Sequence, residues 1–336
     1  TGAAVESTKL AALVSASQSI WYDTLGVLGD RFDELHKEMR SVAAVSMDDG
    51  TTALVQPVAY NASSQNGLWA KLIGRTAERD ADTSIGGGSI NVDYGLDETG
   101  ILIGVDGVVT DAGSPSGALA LGLTGGYVAA NQDFESGSSA DYEGFTVGVY
   151  ASYVKDNFHL DGQLKADILS LGYSMASTPG GNTQADVTNL GGSLEGGYCL
   201  DVTDHFYMEP VAQLAYVNTN IRNGDILGTA FTADGESLRG AIGMNFGGLI
   251  NAASSSDIIF KPQLSLKLWN EFEGDNSASF STFTVTDNTP SVFGEVGFGM
   301  EAISIANGWS GNVKGDVQFA KDFTSFGGFL GLQKSL

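Results

Sequence analysis

Cysteine is almost absent: Cys199 is the single one in 336 residues. No disulfide forms within the chain and no thiolate metal cluster can be built, so Cys199 reads as a small, semi-buried side chain. Proline is scarce, at 6, and the 46 glycines follow no three-residue period, which excludes collagen and Pro/Gly-rich disorder. Basic residues are few, with 16 Lys and Arg against 40 Asp and Glu, a net charge of −24. A nucleic-acid partner needs a basic surface and is excluded. Thr1 opens without a signal peptide or initiator methionine, and the expectation is a mature fragment or a C-terminal piece of a longer chain.

Apolar helical spans are missing too. The longest uncharged windows are residues 50–70 and 112–132. The first contains Pro57 and many polar residues, and the second Pro115 and five glycines. Neither suits a transmembrane helix. If this chain crosses a membrane, it does so with strands.

What is present divides sharply. Residues 1–40 lack proline and read as helix. Trp21, Leu25, Leu28, Phe32 and Leu35 fall at spacings of four and three, one helical stripe. Asp30, Arg31, Asp33, Glu34, Lys37, Glu38 and Arg40 take the rest of the circumference. The stripe alone fits a coiled coil or a core helix. Residues 41–66 hold no basic residue and read as a connecting segment.

From residue 67 to 336 the apolar pattern has period two, broken by turn clusters into twelve strands. The expected spans are about 67–80, 88–110, 115–134, 139–154, 157–176, 182–201, 204–222, 234–251, 256–275, 289–304, 308–321 and 324–336. The connections alternate in length. Residues 154–157, 201–205, 252–257 and 306–309 are short, whereas 133–141, 175–184, 222–235 and 273–290 are longer and polar. Short turns on one rim and long loops on the other suit a bacterial membrane barrel, and each segment reaches the roughly 9–11 residues a tilted spanning strand needs.

The two faces differ in kind. Phe158, Leu160, Leu164 and Ile168 alternate with His159, Asp161, Gln163, Lys165 and Asp167. Phe260, Leu264, Leu266, Leu268 and Phe272 alternate with Lys261, Gln263, Ser265, Lys267, Trp269 and Glu271. In "SLRGAIGMNFGG" (237–248), Ile242, Met244 and Phe246 alternate with Ala241, Gly243, Asn245 and Gly247, and Arg239 is the single basic residue. A soluble barrel puts the apolar face inside. Here the apolar face lacks the Lys and Glu of a wetted surface, so it meets lipid and the polar face lines a lumen. The lumenal glycines are expected to leave room for the N-terminal helix.

The residues resemble a known family. "GLWAKLIGR" (67–75), "ILIGVDGV" (101–108), "LDGQLK" (160–165), "EPVAQLAYV" (209–217), "SLRGAIG" (237–243) and "LKLWNEFEG" (266–274) occur in family order, and "LGDRFDEL" (28–35) resembles the segment before the barrel. Together they resemble the C-terminal translocator domain of a monomeric type Va autotransporter of Gram-negative bacteria. The resemblance implies a 12-stranded antiparallel transmembrane β-barrel with an N-terminal α-helix running through the pore. It would have a helical linker at 1–40 (the plug at about 16–40), a connecting segment at 41–66 and the barrel at 67–336. It further implies an upstream passenger exported to the cell surface, the barrel-assembly machinery, outer-membrane lipid and lipopolysaccharide as partners, and a monomer. Long loops would be extracellular and short turns periplasmic.

Trp21, Leu28, Arg31, Phe32, Glu34, Leu35, Lys37 and Arg40 would form the pore helix. Lys71, Arg75, Asp106, Asp161, Lys165, Glu195, Glu209, Arg239, Lys267, Glu295 and Glu301 would line the lumen. Arg31, Lys37 and Arg40 are expected to face lumenal acids, and Asp33 and Glu34 to face Lys71, Arg75, Arg239 or Lys267. Leu332, Lys334 and Leu336 would carry the C-terminal assembly signal, although the family's usual terminal aromatic is replaced by Leu336. The connecting segment is also longer than is usual in the family. Some members cut themselves at an Asn–Asn pair, which this sequence lacks.

Three rival functions exist. A porin-like channel has no use for the long helix. A barrel enzyme needs a convergent acid, base or nucleophile, and here the histidines are spread: His36 on the helix, His159 at a strand start, His205 in a short turn. No GxSxG elbow occurs. A glycine-rich solenoid needs a fixed repeat, and none is found. No catalytic residue, cofactor or metal site is expected.

Overall fold

The computed structural model describes residues 2–46, 66–85, 88–110, 112, 117–177, 181–203, 205–251, 258–281, 283–288, 291–304 and 308–335. The expected connecting segment at 41–66 lies mostly outside them; of its described residues, 41–46 continue the helix and Asn66 opens the first strand instead. Two helices come first, α1 (Gly2–Ser7) and α2 (Leu10–Ser46). Twelve staves follow: β1 (Asn66–Arg79), β2 (Tyr94–Thr110), β3 (Gly117–Phe134), β4 (Ser139–Lys155), β5 (Phe158–Ser174) and β6 (Asn182–Tyr198), then β7 (Phe206–Ile226), β8 (Thr229–Gly248), β9 (Ile258–Glu273), β10 (Val292–Ser304), β11 (Trp309–Ala320) and β12 (Phe323–Ser335). Each pairs antiparallel with its sequence neighbour. β1 pairs with β12 from Gly67↔Ser335 to Arg79↔Phe323 and closes the barrel. Closure satisfies the backbone groups that an open edge would leave bare in lipid.

The strands follow from alternation and turn chemistry. Asp156, at φ 52, turns β4 into β5; Asp tolerates this left-handed conformation. Leu227 and Gly228, at φ 51 and 80, link β7 to β8. Both central residues of a two-residue hairpin turn with the favoured twist need positive φ.

Several expected boundaries move. Residues 222–235, expected as a loop, instead lengthen β7 and β8 into one continuous hairpin with a register shift between Ile221 and Gly224. Residues 273–290 hold a further hairpin, Asp275–Phe280 with Phe283–Asn288, which pairs onto β8. Their alternating Phe, Val and Thr are strand-forming, although most of the segment is polar. The strand expected at 88–110 begins at Tyr94, and residues 88–91 belong to a small separate hairpin with Asp82–Ile85.

The outer wall is apolar. Phe145, Val147, Val149, Leu164, Ile168, Leu194 and Ile242 are exposed on it. Along β5 the apolar run from Phe158 to Ile168 spans about 33 Å at ~3.3 Å per residue, near the height of a hydrocarbon band once the strand tilts. Gly240 interrupts this face, and Phe272 lies across it: a Cβ there would stand 2.6 Å from the Phe272 ring. Among the described residues no helix is long and apolar enough to cross a membrane.

The core lies inside the barrel, around the helix. At the end carrying the long hairpins, Leu10, Leu13, Val14 and Ile20 pack with Tyr142, Leu171, Tyr173 and Phe231. At the end carrying the short turns, Val27, Leu28, Phe32, Leu35 and Met39 pack with Trp69, Leu102, Tyr150 and Val154. The helix therefore runs lengthwise through the barrel, N-terminal end toward the long hairpins. Its buried part begins well before the expected residue 16, because "LAALVSA" (10–16) is apolar.

Candidate functional site: the helix-filled pore

In the short-turn half, charge decides how α2 meets the wall. Arg31 is fully buried. It donates from Nε and Nη2 to the two oxygens of Asp106 on β2, at 2.8 and 2.9 Å. Its Nη1 donates to Glu34 at 2.9 Å and to Gln333 of β12 at 2.8 Å. Tyr150 donates to the same Asp106 at 2.7 Å and accepts from Trp69 Nε1 at 2.7 Å. This two-pronged geometry is what makes a guanidinium–carboxylate pair directional. Gly67 makes room for it, since a Cβ there would lie 2.7 Å from Asp106 Oδ1 and 3.0 Å from Arg31 Nη2.

A second cluster sits beside it. Lys71 of β1 donates to Asp30 and, at 2.9 Å, to Glu34. Asn312 of β11 donates to the same two carboxylates at 2.6 and 2.7 Å. Lys314 lies 3.6 Å from Asp30 and 3.7 Å from Asp33. Arg75 bridges Asp23 of the helix, at 2.9 Å, to Asp316 of β11, at 2.8 Å. Each of these charges on the helix thus meets an opposite one on the wall, the condition for tolerating burial.

The long-hairpin half combines polar contacts and a few ion pairs with the apolar core: Lys9 donates to Glu6 at 3.1 Å, and Ser15 donates to Asp287, which Arg79 reaches at 3.0 Å. Gln18 donates to Asn276 at 2.8 Å, Ser17 to Asn189 at 3.0 Å, and Tyr142 to the Leu13 carbonyl at 3.1 Å. Trp21 is buried against Ala215 and Val217, with Lys165 Nζ 5.1 Å over its ring. Gly191 admits the indole: a Cβ there would lie 2.7 Å from it. At the mouth, Glu6 accepts from Ser138 at 2.9 Å, from the Ser177 amide at 3.0 Å and from Tyr173. Burial pushes its carboxyl up, but the Ser177, Tyr173 and Ser138 hydrogen bonds outweigh that and bring it from 4.5 to about 2.

The remaining expected pore residues fall as follows. Lys37 lies 3.9 Å from Glu301. The side chain of Arg40 and residue Leu336 lie outside the described residues. Asp33 and Glu34 do not meet Arg239 or Lys267. Arg239 donates to Glu271 at 2.6 Å and stacks 3.9 Å over Tyr22, and Lys267 pairs with Glu195 at 3.0 Å. Glu295 accepts from Trp269 Nε1 at 3.0 Å, Lys165 donates to Asp167 at 2.7 Å, and Glu209 accepts from Asn245 at 3.4 Å. Asp161 joins His36 and His159. Leu332 is 62% exposed on the outer wall, and Lys334 lies 5.7 Å over the Trp309 ring.

Not every lumenal glycine serves the helix. A Cβ at Gly243 would meet the Lys267 side chain at 2.8 Å, and one at Gly247 the Tyr207 ring at 2.3 Å. These two clear space for wall residues instead, because that side of the wall stands away from α2. A cavity of about 100 Å³ remains there, beside Gly26 and Gly29 and against Arg239, Lys267 and Glu295. Sequence reasoning missed Asp23, Asp30, Asn312, Lys314 and Asp316. Their signal was present: 312, 314 and 316 share one face of a strand, and Asp23 and Asp30 are two helical turns apart.

A family model of the autotransporter beta-domain matches residues 68–332. The chain belongs to the autotransporter beta-domain family. Among solved structures it is similar to the beta domain of the Bordetella autotransporter BrkA, at 24% identity and a TM-score of 0.60, covering 81% of this chain and 100% of that one. It is also similar to the transport unit of AIDA-I from Escherichia coli, at 14% and 0.65, covering 90% and 99%. The translocator domain of NalP from Neisseria meningitidis gives 13% and 0.62, covering 95% and 99%. These likenesses show the fold, a closed twelve-stranded barrel with an N-terminal helix. Comparison with curated proteins finds no match. As an autotransporter beta-domain the chain is an outer-membrane transport barrel of a family whose barrels are linked to an upstream passenger.

Proposed function

We propose that this translocator barrel supports export of its upstream passenger to the cell surface and afterwards keeps α2 in the pore as plug and tether. The carrying observation is the orientation of the helix. Its N-terminal end packs among the long hairpins and its C-terminal half among the short turns. A segment preceding Gly2 therefore leaves through the long-hairpin mouth, which is the extracellular side in this reading. The short turns are periplasmic. The exposed apolar wall meets outer-membrane lipid and lipopolysaccharide. The barrel-assembly machinery reads β12, with Leu332, Lys334 and Leu336 as its signal. Among the described residues the twelve staves close on one another, β1 with β12, and leave no free edge within the wall, which supports a monomer.

A porin-like channel is disfavoured by the same helix, which fills the lumen with buried ion pairs. The test is single-channel conductance in a planar bilayer, comparing the full chain with one lacking residues 1–40. A small conductance that rises sharply on deletion is the expected result. Equal, large conductance in both overturns the plug and leaves a channel with its helix outside the pore.

A further inference from the structure

Two of the three histidines in the sequence meet across the helix–wall boundary. His36 Nε2 lies 2.8 Å from His159 Nδ1 and 2.9 Å from each carboxylate oxygen of Asp161. His159 Nδ1 lies 3.1 Å from Asp161. All three side chains are buried. Three atoms with lone pairs thus form a triangle of sides near 3 Å. Protons on His36 Nε2 and His159 Nδ1 can both point at Asp161, but the two nitrogens, 2.8 Å apart, then face each other with no hydrogen bond between them. A zinc-class ion with nitrogen and oxygen ligands at about 2.0–2.1 Å holds them roughly 3.3 Å apart, so this triangle needs to open by only a few tenths of an ångström.

Independent features show a built site. The rings of His36 and His159 stand perpendicular, with centroids 3.9 Å apart, and one nitrogen of each lies against the Asp161 carboxylate. The His159 ring rests on the bare backbone of Gly197, where a Cβ would stand 2.0 Å from Nε2. That far nitrogen is buried with no hydrogen-bond partner among the described residues and faces Glu209 Oε1 at 3.9 Å. A carboxylate behind a coordinating imidazole is the usual arrangement that fixes the ring and raises its basicity. The set of two imidazoles and one carboxylate suits zinc and its neighbours rather than calcium or magnesium, which prefer oxygen alone.

We propose that a zinc-class divalent cation binds His36, His159 and Asp161, with water in the fourth position, and staples the helix to the wall. Glu209 acts as a positioning residue behind His159. The proposal does not depend on the export reading, because its test reads metal held by the folded chain.

The refolded full chain is titrated with cobalt(II), whose visible bands report coordination, and its thermal melt is recorded with zinc and with a chelator. One cobalt per chain is expected, with the bands of a tetrahedral nitrogen–oxygen site, and zinc is expected to raise the melting temperature. His36→Ala, His159→Ala and Asp161→Asn each abolish the bands and the zinc-dependent shift. Glu209→Gln weakens binding by about 10–100-fold. His205→Ala, which changes the remaining histidine, leaves both intact. Folding of every variant is checked by the gel shift of the unheated barrel. No cobalt on the folded parent chain overturns the proposal. So does binding that survives both His36→Ala and His159→Ala, which assigns the metal to acidic surface groups.

Discussion

Arg31 shows how one side chain fixes the helix in the barrel. It has no exposed surface, and it reaches Asp106, Glu34 and Gln333 at 2.8–2.9 Å. Replacing it by methionine keeps the volume and leaves Asp106 buried without its cation. Breaking a buried pair in this way costs about 3–5 kcal/mol. Arg31→Met is therefore expected to lower the unfolding free energy by that amount. Arg31→Met with Asp106→Asn is expected to recover part of it, because the stranded charge is then gone; equal losses in the two variants would contradict the pairing. Glu6 makes a pH prediction at the mouth. Its folded value of about 2 lies below its ordinary 4.5, so its stabilising contribution is full above the ordinary value. That contribution is lost as pH falls through about 2. The melting-temperature gap between the parent chain and Glu6→Gln should narrow as the pH is lowered from 5 toward 2, and a constant gap would contradict this.

At the scale of elements, α2 is one helix with two methods of attachment. Its first part, Leu10 to Ile20, carries no charged side chain and uses apolar packing and hydrogen bonds. Its later part, from Asp23 to Lys37, uses ion pairs. The two halves should fail independently. Leu13 is fully buried in the core of the long-hairpin half, so Leu13→Asp places a carboxylate among apolar side chains, a cost of several kcal/mol unless the group moves to water. The expected result is a leak seen as flickering, partial conductance, with the Arg31–Asp106 contact still holding the short-turn half. High salt should separate the halves too. It weakens ion pairs only where ions can reach them, so conductance of the parent chain should stay low in molar salt; a steep rise would mean the pairs are wet.

At the scale of the whole molecule, the wall and the plug are separable by design of the hydrogen bonding. Every stave is paired on both sides by backbone ladders, including β1 with β12 and β8 with β9. The wall's ladder does not pass through the helix. A chain lacking residues 1–40 should therefore still give the folded, unheated band of a barrel on a gel. Its melting temperature should be lower, because Tyr142, Trp69 and the lumenal ion pairs lose their partners. Failure to form the band at all would show that the wall needs the plug.

Period-two alternation with unequal turns was enough, from sequence, for a membrane barrel, because lipid and lumen demand opposite chemistry from adjacent residues. That logic found Arg239 and Lys267 on the inner face and Ile242 on the outer one, which is 67% exposed. It missed the hairpins at 222–235 and 273–290, where strands leave the bilayer and the lipid-driven contrast between faces fades. It also assigned Gly243 and Gly247 to the helix when they accommodate Lys267 and Tyr207.

Local composition determined that residues 1–40 are helical, that residues after 67 are strands and which face each strand turns to lipid, since these depend on periodicity alone; that the helix breaks after Ser7 and runs on to Ser46 did not follow from it. Which charges meet did not follow. Arg31 finds Asp106 at a separation of 75 residues, Lys71 finds Asp30 at 41, and His36 finds His159 at 123. Those meetings depend on the rotation and depth of α2 inside the closed wall. Only the assembled tertiary structure decides these two quantities, because they are fixed by the shape that every stave contributes to the lumen.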